Sequence, residues 1–383
     1  MKIGIDAVNI RHGGGITHLK ELLDHASPEK DKFSKIIVWS NKDTLNNIGD
    51  HLWLKKKEVD KTNFFSRTIW QSTKLTKEVI REQCDVLFVP GGSFISSFRP
   101  VVTMNQNLLP FMLREVLRYG FSLNTLRLLL LRIIHERSYK RSDGCIFLTT
   151  HAQKTILGKI NNPLLSSTVI NHGIDERFFF KNRKNKEMSS FNSENKFKIV
   201  NISSIEPYKM QSLLIEAIQK LYQEDYPVML EIYGGGYSKS INKLKKTINK
   251  IDSENNFSIY KGQFEYSKIE QKYREADLML YSSTCETFGQ TVTEAMASSL
   301  AIVSSKNQPM PEILGNSATF YDLSDLSDLI NSIRKVIDSS ELRDKLSLSA
   351  YNRASNFSWN KCSSDTFKFL HKVYEKNKSN DEK

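Results

Sequence analysis

Short apolar, β-branched runs alternate along this chain with longer stretches of helical periodicity. In the first half the runs fall at 2–8, 35–40, 84–89, 101–105, 143–149 and 168–171, and each predicts a strand. In the second half they fall at 197–202, 228–233, 257–260, 276–281, 301–304 and 318–321. Most carry apolar residues at consecutive positions, as strands buried on both faces do, and that is the habit of parallel sheets. Helical stretches between them supply the crossovers that parallel strands need. The predicted class is α/β, with two parallel-sheet domains at 1–175 and 196–358. The intervening residues 176–195 are mostly polar and read as an interdomain loop.

Composition agrees with this. A chain of 383 residues suggests two domains, and 39% hydrophobic with 26% charged residues suits a soluble globular protein. No apolar run approaches the ~18 residues of a membrane span. The N-terminus enters a strand without a signal-peptide pattern, so a cytoplasmic protein is expected. Cys84, Cys145, Cys285 and Cys362 are scattered and form no CxxC, which supports neither zinc nor a disulfide framework. Charge changes the picture more. Residues 1–195 hold 30 basic and 19 acidic side chains, residues 196–383 hold 25 and 24, and nearly all of the net +12 lies in the first half. Such a field favours anionic partners: nucleic acid, an acidic membrane surface or a phosphorylated substrate.

Four segments could carry chemistry. The run Ser282-Ser283-Thr284-Cys285-Glu286-Thr287-Phe288-Gly289-Gln290-Thr291-Val292-Thr293-Glu294-Ala295-Met296-Ala297 follows a strand and ends in good helix formers. A helix N-terminus after a strand is an anion site, because its first amides lack internal partners. Two carboxylates there, Glu286 and Glu294, would repel an anion unless they hold hydroxyls of the same ligand. Phosphates on amides and hydroxyls on carboxylates describe a nucleotide sugar. Thr291-Val292-Thr293-Glu294 also fits a capping box, in which Glu294 caps its own helix and holds no ligand. Lys209 sits just before a second amphipathic helix, where a cation is poorly placed against the dipole unless an anion lies between them. Gly234-Gly235-Gly236 closes a strand and serves either as a simple exit or as a ligand-facing loop. Gly13-Gly14-Gly15, after the first strand, is a tight turn or a ligand loop. The dinucleotide fingerprint fails here, because His18 takes the third glycine position and no acid closes the second strand.

The leucine- and arginine-rich stretch 111–137 reads either as a core helix with a wet arginine face or as a basic helix on an anionic membrane. No zinc finger, RNP motif or heptad repeat supports specific nucleic-acid binding.

Taken in order, these segments resemble the GT-B glycosyltransferases of family 4. The first glycine loop, Ile170-Asn171-His172-Gly173-Ile174-Asp175, Tyr208-Lys209, the E-x7-E run from Glu286 to Glu294, Pro309-Met310-Pro311-Glu312-Ile313-Leu314-Gly315 and Phe357-Ser358-Trp359 are each similar to a family landmark. The resemblance implies two Rossmann-like domains facing each other across a cleft, with a last helix (359–375) packing back on the first. It implies a nucleotide sugar as donor substrate, no cofactor, no metal, and retention at the anomeric carbon. Glu286, Lys209 and Asn105 would be catalytic. Glu294, Phe288, Gly289, Gln290, Thr291, Ser204 and Gly235 would hold the donor, and Gly13, Gly14 and Gly15 would form the N-terminal loop. Two positions depart from the pattern: Ser204 replaces a frequent Arg, and Asn105 stands near where members often carry His.

The expected activity is transfer of a sugar to a glycan or lipid-linked acceptor, as in bacterial-type surface polysaccharide synthesis, with the basic first half at the inner face of a membrane. The alternatives are an epimerase or phosphorylase on the same fold, or a non-enzymatic basic protein that binds membrane or nucleic acid.

Overall fold

The computed structural model describes residues 1–11, 13–60, 63–160, 162, 165–181 and 183–381. His12 of the first glycine segment and Asn182 of the interdomain stretch lie outside the described residues. Two compact units emerge. One comprises Met1–Phe111, Ser122–Gly173 and the chain from Ser358 onward; the other comprises Met112–Phe121 and Ile174–Phe357.

The first unit is built on a seven-stranded sheet. Its strands are β1 (Lys2–Asp6), β2 (Lys35–Ser40), β3 (Leu54–Glu58), β4 (Val86–Val89), β5 (Val101–Asn105), β6 (Gly144–Phe147) and β7 (Ser166–Val169). They lie in the order β3-β2-β1-β4-β5-β6-β7, and every pair is parallel. The sequence pattern finds six of the seven, with the last displaced toward its N-terminus. It misses β3, Leu54-Lys55-Lys56-Lys57-Glu58, because that strand is not apolar. β3 is the sheet edge, where charge is affordable and deters pairing with another chain. Lys57 reaches both Glu78 and Glu82, and Lys55 also pairs with Glu82. These lysines push the Glu82 carboxyl down to about 2.

The second unit carries β8 (Phe197–Ile202), β9 (Val228–Tyr233), β10 (Ser258–Gly262), β11 (Leu278–Tyr281), β12 (Ala301–Ser305) and β13 (Thr319–Tyr321). Their order is β10-β9-β8-β11-β12-β13, again all parallel. All six were legible as apolar runs. One continuous core joins the inner face of this sheet to the helices Gln211–Gln223 and Leu326–Ile337, through Ile199, Leu230, Leu214, Ile218 and Ile333. In each sheet the strand order reverses beside the first strand, between β1 and β4 and between β8 and β11. Ligands of open α/β sheets bind at such switch points, beyond the carboxyl ends of the strands.

The long last helix, Trp359–Asp381, belongs with the first unit. Ser363 on it donates to the Leu22 carbonyl at 2.8 Å. His18, the residue that spoils the dinucleotide fingerprint, is fully buried there. It stacks on His172 with centroids 4.9 Å apart and lies 6.0 Å from Trp359. Burial and the second imidazole push its pKa well below the ordinary histidine value. The polar stretch after Ile174 is tied to the second unit: the Phe180 amide donates to Ala297, and Arg183 bonds the carbonyls of Tyr273 and Ala276.

Candidate donor-binding and catalytic site

Adjacent strands β8 and β11 bring together two of the segments singled out in the sequence. The loop after β8 turns through Pro207–Lys209 into the helix Gln211–Gln223. The loop after β11 leads to the helix Gln290–Ala297. Ser282 Oγ donates to the Lys209 carbonyl at 2.6 Å, and the Thr284 amide donates to the Tyr208 carbonyl at 2.9 Å. These bonds fix the two loops edge to edge.

As a result Lys209 and Glu286 form an ion pair across 77 residues of sequence. Lys209 is buried, with 7% of its surface exposed. A lysine this enclosed must be paired, because an isolated buried ammonium loses several kcal/mol of solvation. Tyr281, at the end of β11, completes a triangle. Its hydroxyl donates to Glu286 Oε1 at 2.6 Å and accepts from Lys209 Nζ at 3.0 Å. The Thr291 side chain is within hydrogen-bonding reach of the same phenol. Burial and the Glu286 charge push the Tyr281 pKa well above its ordinary value, so it stays a donor.

Glu294 is 1% exposed and does not cap its helix. The N-cap is Gly289, so Thr291 lies inside the helix and the capping box never forms. The Glu294 oxygens accept instead from Tyr266 and Tyr273, each at 2.9 Å. Burial raises its carboxyl to about 7, against the lowering effect of the two phenols and Arg177. Each oxygen keeps a second lone pair for a further donor. Gly289 has φ 100°, and a Cβ there would stand 2.7 Å from Met310 Cε, so both backbone and packing require glycine. Phe288 is buried edge-on against Phe357. Gln290 opens the helix, which has no acid in its first turn.

Ser204 and Gly235 sit on neighbouring loops of the same unit. The Ser204 carbonyl accepts from Gln211 at 2.9 Å, and its hydroxyl approaches the Tyr208 phenol. The Gly235 carbonyl accepts from the Ile205 amide at 2.8 Å. A Cβ on Gly234 would collide with the Ser203 carbonyl, so this glycine run serves close packing of two loops at least as much as any ligand.

Asn105 and Gly13–Gly15 belong to the first unit, at the carboxyl edge of its sheet. Asn105 ends β5 fully buried. Its amide donates to the Tyr139 hydroxyl at 3.0 Å and to the Asn107 carbonyl at 3.1 Å, while Oδ1 has no hydrogen-bond partner among the described residues. His135 lies against Tyr139, with centroids 5.7 Å apart, and burial lowers its pKa to about 4. Gly13 caps the helix Gly14–Asp24 with φ 63°, and nothing lies within 4 Å of a Cβ built on Gly13 or Gly14. Gly15 faces Gln106, whose amide donates to the Pro90 carbonyl at 3.2 Å, so the glycine loop and the β5 loop adjoin.

Sequence reasoning missed the phenols. Tyr266 and Tyr273 are seven residues apart, two helical turns, and that spacing was the available signal. It also missed Met112–Phe121, which packs with the second unit. Thr284 donates to Glu115 Oε2 at 2.5 Å, and Tyr119 donates to Glu206 Oε2 at 2.7 Å. Nothing in a ten-residue insert announces which sheet it joins. Among the described residues no group of three or more His, Cys, Asp or Glu side chains is arranged to hold a metal ion, and no helix is long and apolar enough to cross a membrane.

Comparison with known proteins meets this geometry from another direction. Residues 182–353 match the model of the family described as glycosyl transferases group 1. The chain is 22% identical over 161 residues to sulfoquinovosyl transferase SQD2 of Arabidopsis thaliana, covering 36% of this chain and 32% of that protein. It is 28% identical over 244 residues to mannosylfructose-phosphate synthase of Agrobacterium fabrum, covering 60% and 53%. The matches thus span about a third to a half of these relatives' length. The structure is similar to HepE of Anabaena in complex with UDP and glucose, with TM-score 0.70 and 19% identity over 97% of this chain and 99% of that one. The fold is therefore GT-B, and the chain resembles the group 1 glycosyltransferases over the unit that holds Glu286, Lys209 and Glu294.

Proposed function

We propose that this GT-B protein moves a sugar from a nucleoside diphosphate sugar to a glycan or lipid-linked acceptor, with retention at the anomeric carbon and without a metal. The observation that carries this reading is the meeting of Lys209 and Glu286 at the switch point of the second sheet, in front of the Gly289-led helix. The neighbour HepE was solved with UDP and with glucose, the two halves of such a donor.

The chemistry follows from charge. A departing nucleoside diphosphate gains negative charge as the glycosidic bond breaks, and stabilising that charge is most of the catalytic task. Lys209 supplies a buried cation, and the N-terminal end of the helix Gln290–Ala297 supplies oriented amides. Glu286 pairs with Lys209 in the structure. With donor bound, Lys209 turns to the phosphates and Glu286 is freed to face the transferred sugar. A Lys about 4 Å from a phosphate gains on the order of 4 kcal/mol gross at an effective dielectric near 20, before desolvation. Glu294 offers its remaining lone pairs to the ribose hydroxyls. Asn105 takes the catalytic place in the first unit that the resemblance gives to His.

A membrane-side acceptor is favoured by the helix Leu123–Arg141. Leu123, Leu126, Leu130 and Ile133 are 85%, 56%, 52% and 47% exposed. Their spacing of three, four and three puts them on one stripe. These four side chains thus face outward, which supports the surface reading of this part of the helix. A basic helix with an outward apolar stripe suits an anionic lipid surface.

The test is donor hydrolysis and transfer with a panel of UDP-, GDP- and ADP-sugars. Turnover of donor with acceptor, and none in Glu286→Gln, supports transfer. Interconversion of donor without acceptor would make the protein an epimerase, and salt-sensitive polyanion binding with no nucleotide affinity would make it a basic binding protein.

A further inference from the structure

The insert Met112–Phe121 belongs with the second unit, although the chain on both sides of it belongs with the first. It lies against the two loops that carry Lys209 and Glu286, and two buried side chains anchor it there. Glu115 accepts from Thr284 on the loop after β11. Tyr119 donates to Glu206 on the loop after β8, and its ring lies 5.3 Å from that of Tyr237. Arg118, one residue before Tyr119, turns toward the same loops. Its Nε donates to Glu115 Oε2 at 2.6 Å, the oxygen that also accepts from Thr284. Its Nη1 lies 3.5 Å from the sulfur of Met210, the residue after Lys209.

Arg118 adds little to the anchoring. The carboxylate it holds is on the insert itself, and a thioether is a weak acceptor. A guanidinium has five N–H donors, and beyond these two contacts Arg118 meets no acceptor among the described residues. Nη2 is thus uncommitted, in a plane that the Nε bond to Glu115 fixes. Charge gives it a task. The loops 203–210 and 282–289 carry two glutamates and one lysine. A diphosphate arriving there meets a net negative charge unless a further cation joins. The insert brings two arginines and one glutamate. Of the two arginines, Arg118 is the one with a polar contact to these loops among the described residues. Its link through Glu115 runs to Thr284, two residues before Glu286. With Glu286 toward the transferred sugar and Glu294 toward the ribose, Arg118 stands on the sugar side.

We propose that the insert Met112–Phe121 is part of the donor site and that Arg118 binds the sugar-side phosphate of the nucleoside diphosphate, beside Lys209. This rests on the reading of the protein as a glycosyltransferase and extends its donor site to a residue from the first half of the chain. A guanidinium presents paired N–H groups that match two phosphate oxygens. Arg118 offers Nη1 and Nη2 in this way while Nε stays on Glu115, which is then a positioning residue.

The experiment is calorimetric titration of the full chain with UDP, GDP and ADP, and with UMP, GMP and AMP. Wild type binds at least one diphosphate more tightly than its monophosphate. Arg118→Ala weakens that diphosphate at least about tenfold, the scale of one charge-assisted hydrogen bond, and its monophosphate less than about threefold. Arg118→Lys keeps the charge without the fork and falls between wild type and Arg118→Ala. Lys220→Ala, which removes an exposed cation from the helix Gln211–Gln223, leaves both affinities unchanged. Arg118→Gln keeps most of the side chain and gives the same comparison should Arg118→Ala unfold. A purely structural role for Arg118 lowers both affinities together. That result, or wild-type affinity in Arg118→Ala, overturns the proposal and leaves the donor reading standing. A wild type that binds none of the three diphosphates overturns the donor reading itself, and the proposal with it.

Discussion

The two units carry the same architecture and opposite chemistry at the same place. In the second, the carboxyl edge beside the switch point is lined by carboxylates already occupied: Glu286 by Lys209 and Tyr281, Glu294 by Tyr266 and Tyr273. In the first, the corresponding edge holds Arg67 on the Asn9 amide and an open glycine loop. The acids of one edge are already hydrogen-bonded, and the other edge holds a cation on a neutral amide. That difference fits the reading proposed above, in which the second unit holds the donor and the basic first unit faces the acceptor.

The sharpest way to break the comparison is to remove the pair on which the second edge depends. Lys209→Ala leaves Glu286 with only Tyr281, and Glu286→Gln leaves a buried lysine without its counter-charge. We expect either change to lower transfer by at least about 100-fold, the scale of losing a charge-stabilising group. Lys209→Ala should also weaken nucleoside diphosphate binding. Transfer within fivefold of wild type in both, with the fold intact by circular dichroism, would place the chemistry elsewhere.

Glycines at the two edges sharpen the contrast. Gly289→Ala meets both a left-handed backbone and the Met310 methyl, whereas Gly13→Ala meets the backbone cost alone. The left-handed conformation of Gly289 costs an Ala ~1–2 kcal/mol and the packing conflict adds ~1–3 kcal/mol, whereas the glycine-only conformation of Gly13 (φ 63°, ψ −147°) costs ~1–3 kcal/mol. Thermal unfolding should show the larger fall in Tm for Gly289→Ala, accompanied by loss of nucleotide binding. Equal losses in the two variants would mean that Met310 moves aside freely.

These residues also show what the sequence could and could not say. All six strands of the second unit lie in or beside short apolar runs, and most are buried, so the pattern revealed them. Edge strand β3 was invisible because its Lys55-Lys56-Lys57 run obeys edge chemistry and not burial. The loop from Glu286 to Glu294 was visible as chemistry, but its local pattern pointed equally to a capping box. Only the helix start at Gln290 settles that, and a helix start depends on the φ of Gly289. Lys209 and Glu286 were each singled out from their own loops. Their ion pair depends on β8 lying next to β11, a property of sheet order that no local window contains. The phenols on Glu294 and the insertion of Met112–Phe121 into the second unit are tertiary facts of the same kind.

Glu294 makes a smaller, pH-dependent prediction. Its folded pKa is raised to about 7 from an ordinary 4.5. The folded protein therefore keeps this proton where the unfolded chain has lost it. The stability from this group is complete below about 4.5 and is lost as pH rises to about 7. Ribose hydroxyls donate best to the ionised form, so nucleotide affinity should rise about tenfold between pH 6 and pH 8. Glu294→Gln should remove that part of the slope, while titration of the nucleotide itself is common to both proteins and cancels. Parallel pH profiles for the two would show that Glu294 does not hold the ligand.

The smallest expected effect separates the two surfaces most cleanly. Leu126 in the first unit and Leu348 in the second are equally exposed, at 56% and 54%. Exposure alone therefore predicts the same behaviour for both. Their surroundings differ: Leu126 lies in the stripe of Leu123, Leu130 and Ile133, beside Arg127. Fully burying a leucine is worth roughly 2 kcal/mol, and only the exposed half of Leu126 can gain it on entering lipid. Leu126→Ala should therefore weaken sedimentation with phosphatidylglycerol-containing vesicles by about 1 kcal/mol, roughly fivefold in partitioning. Leu348→Ala should leave sedimentation unchanged. If both variants behave as wild type, the stripe does not meet a membrane. If both weaken binding equally, membrane contact is not confined to the basic unit.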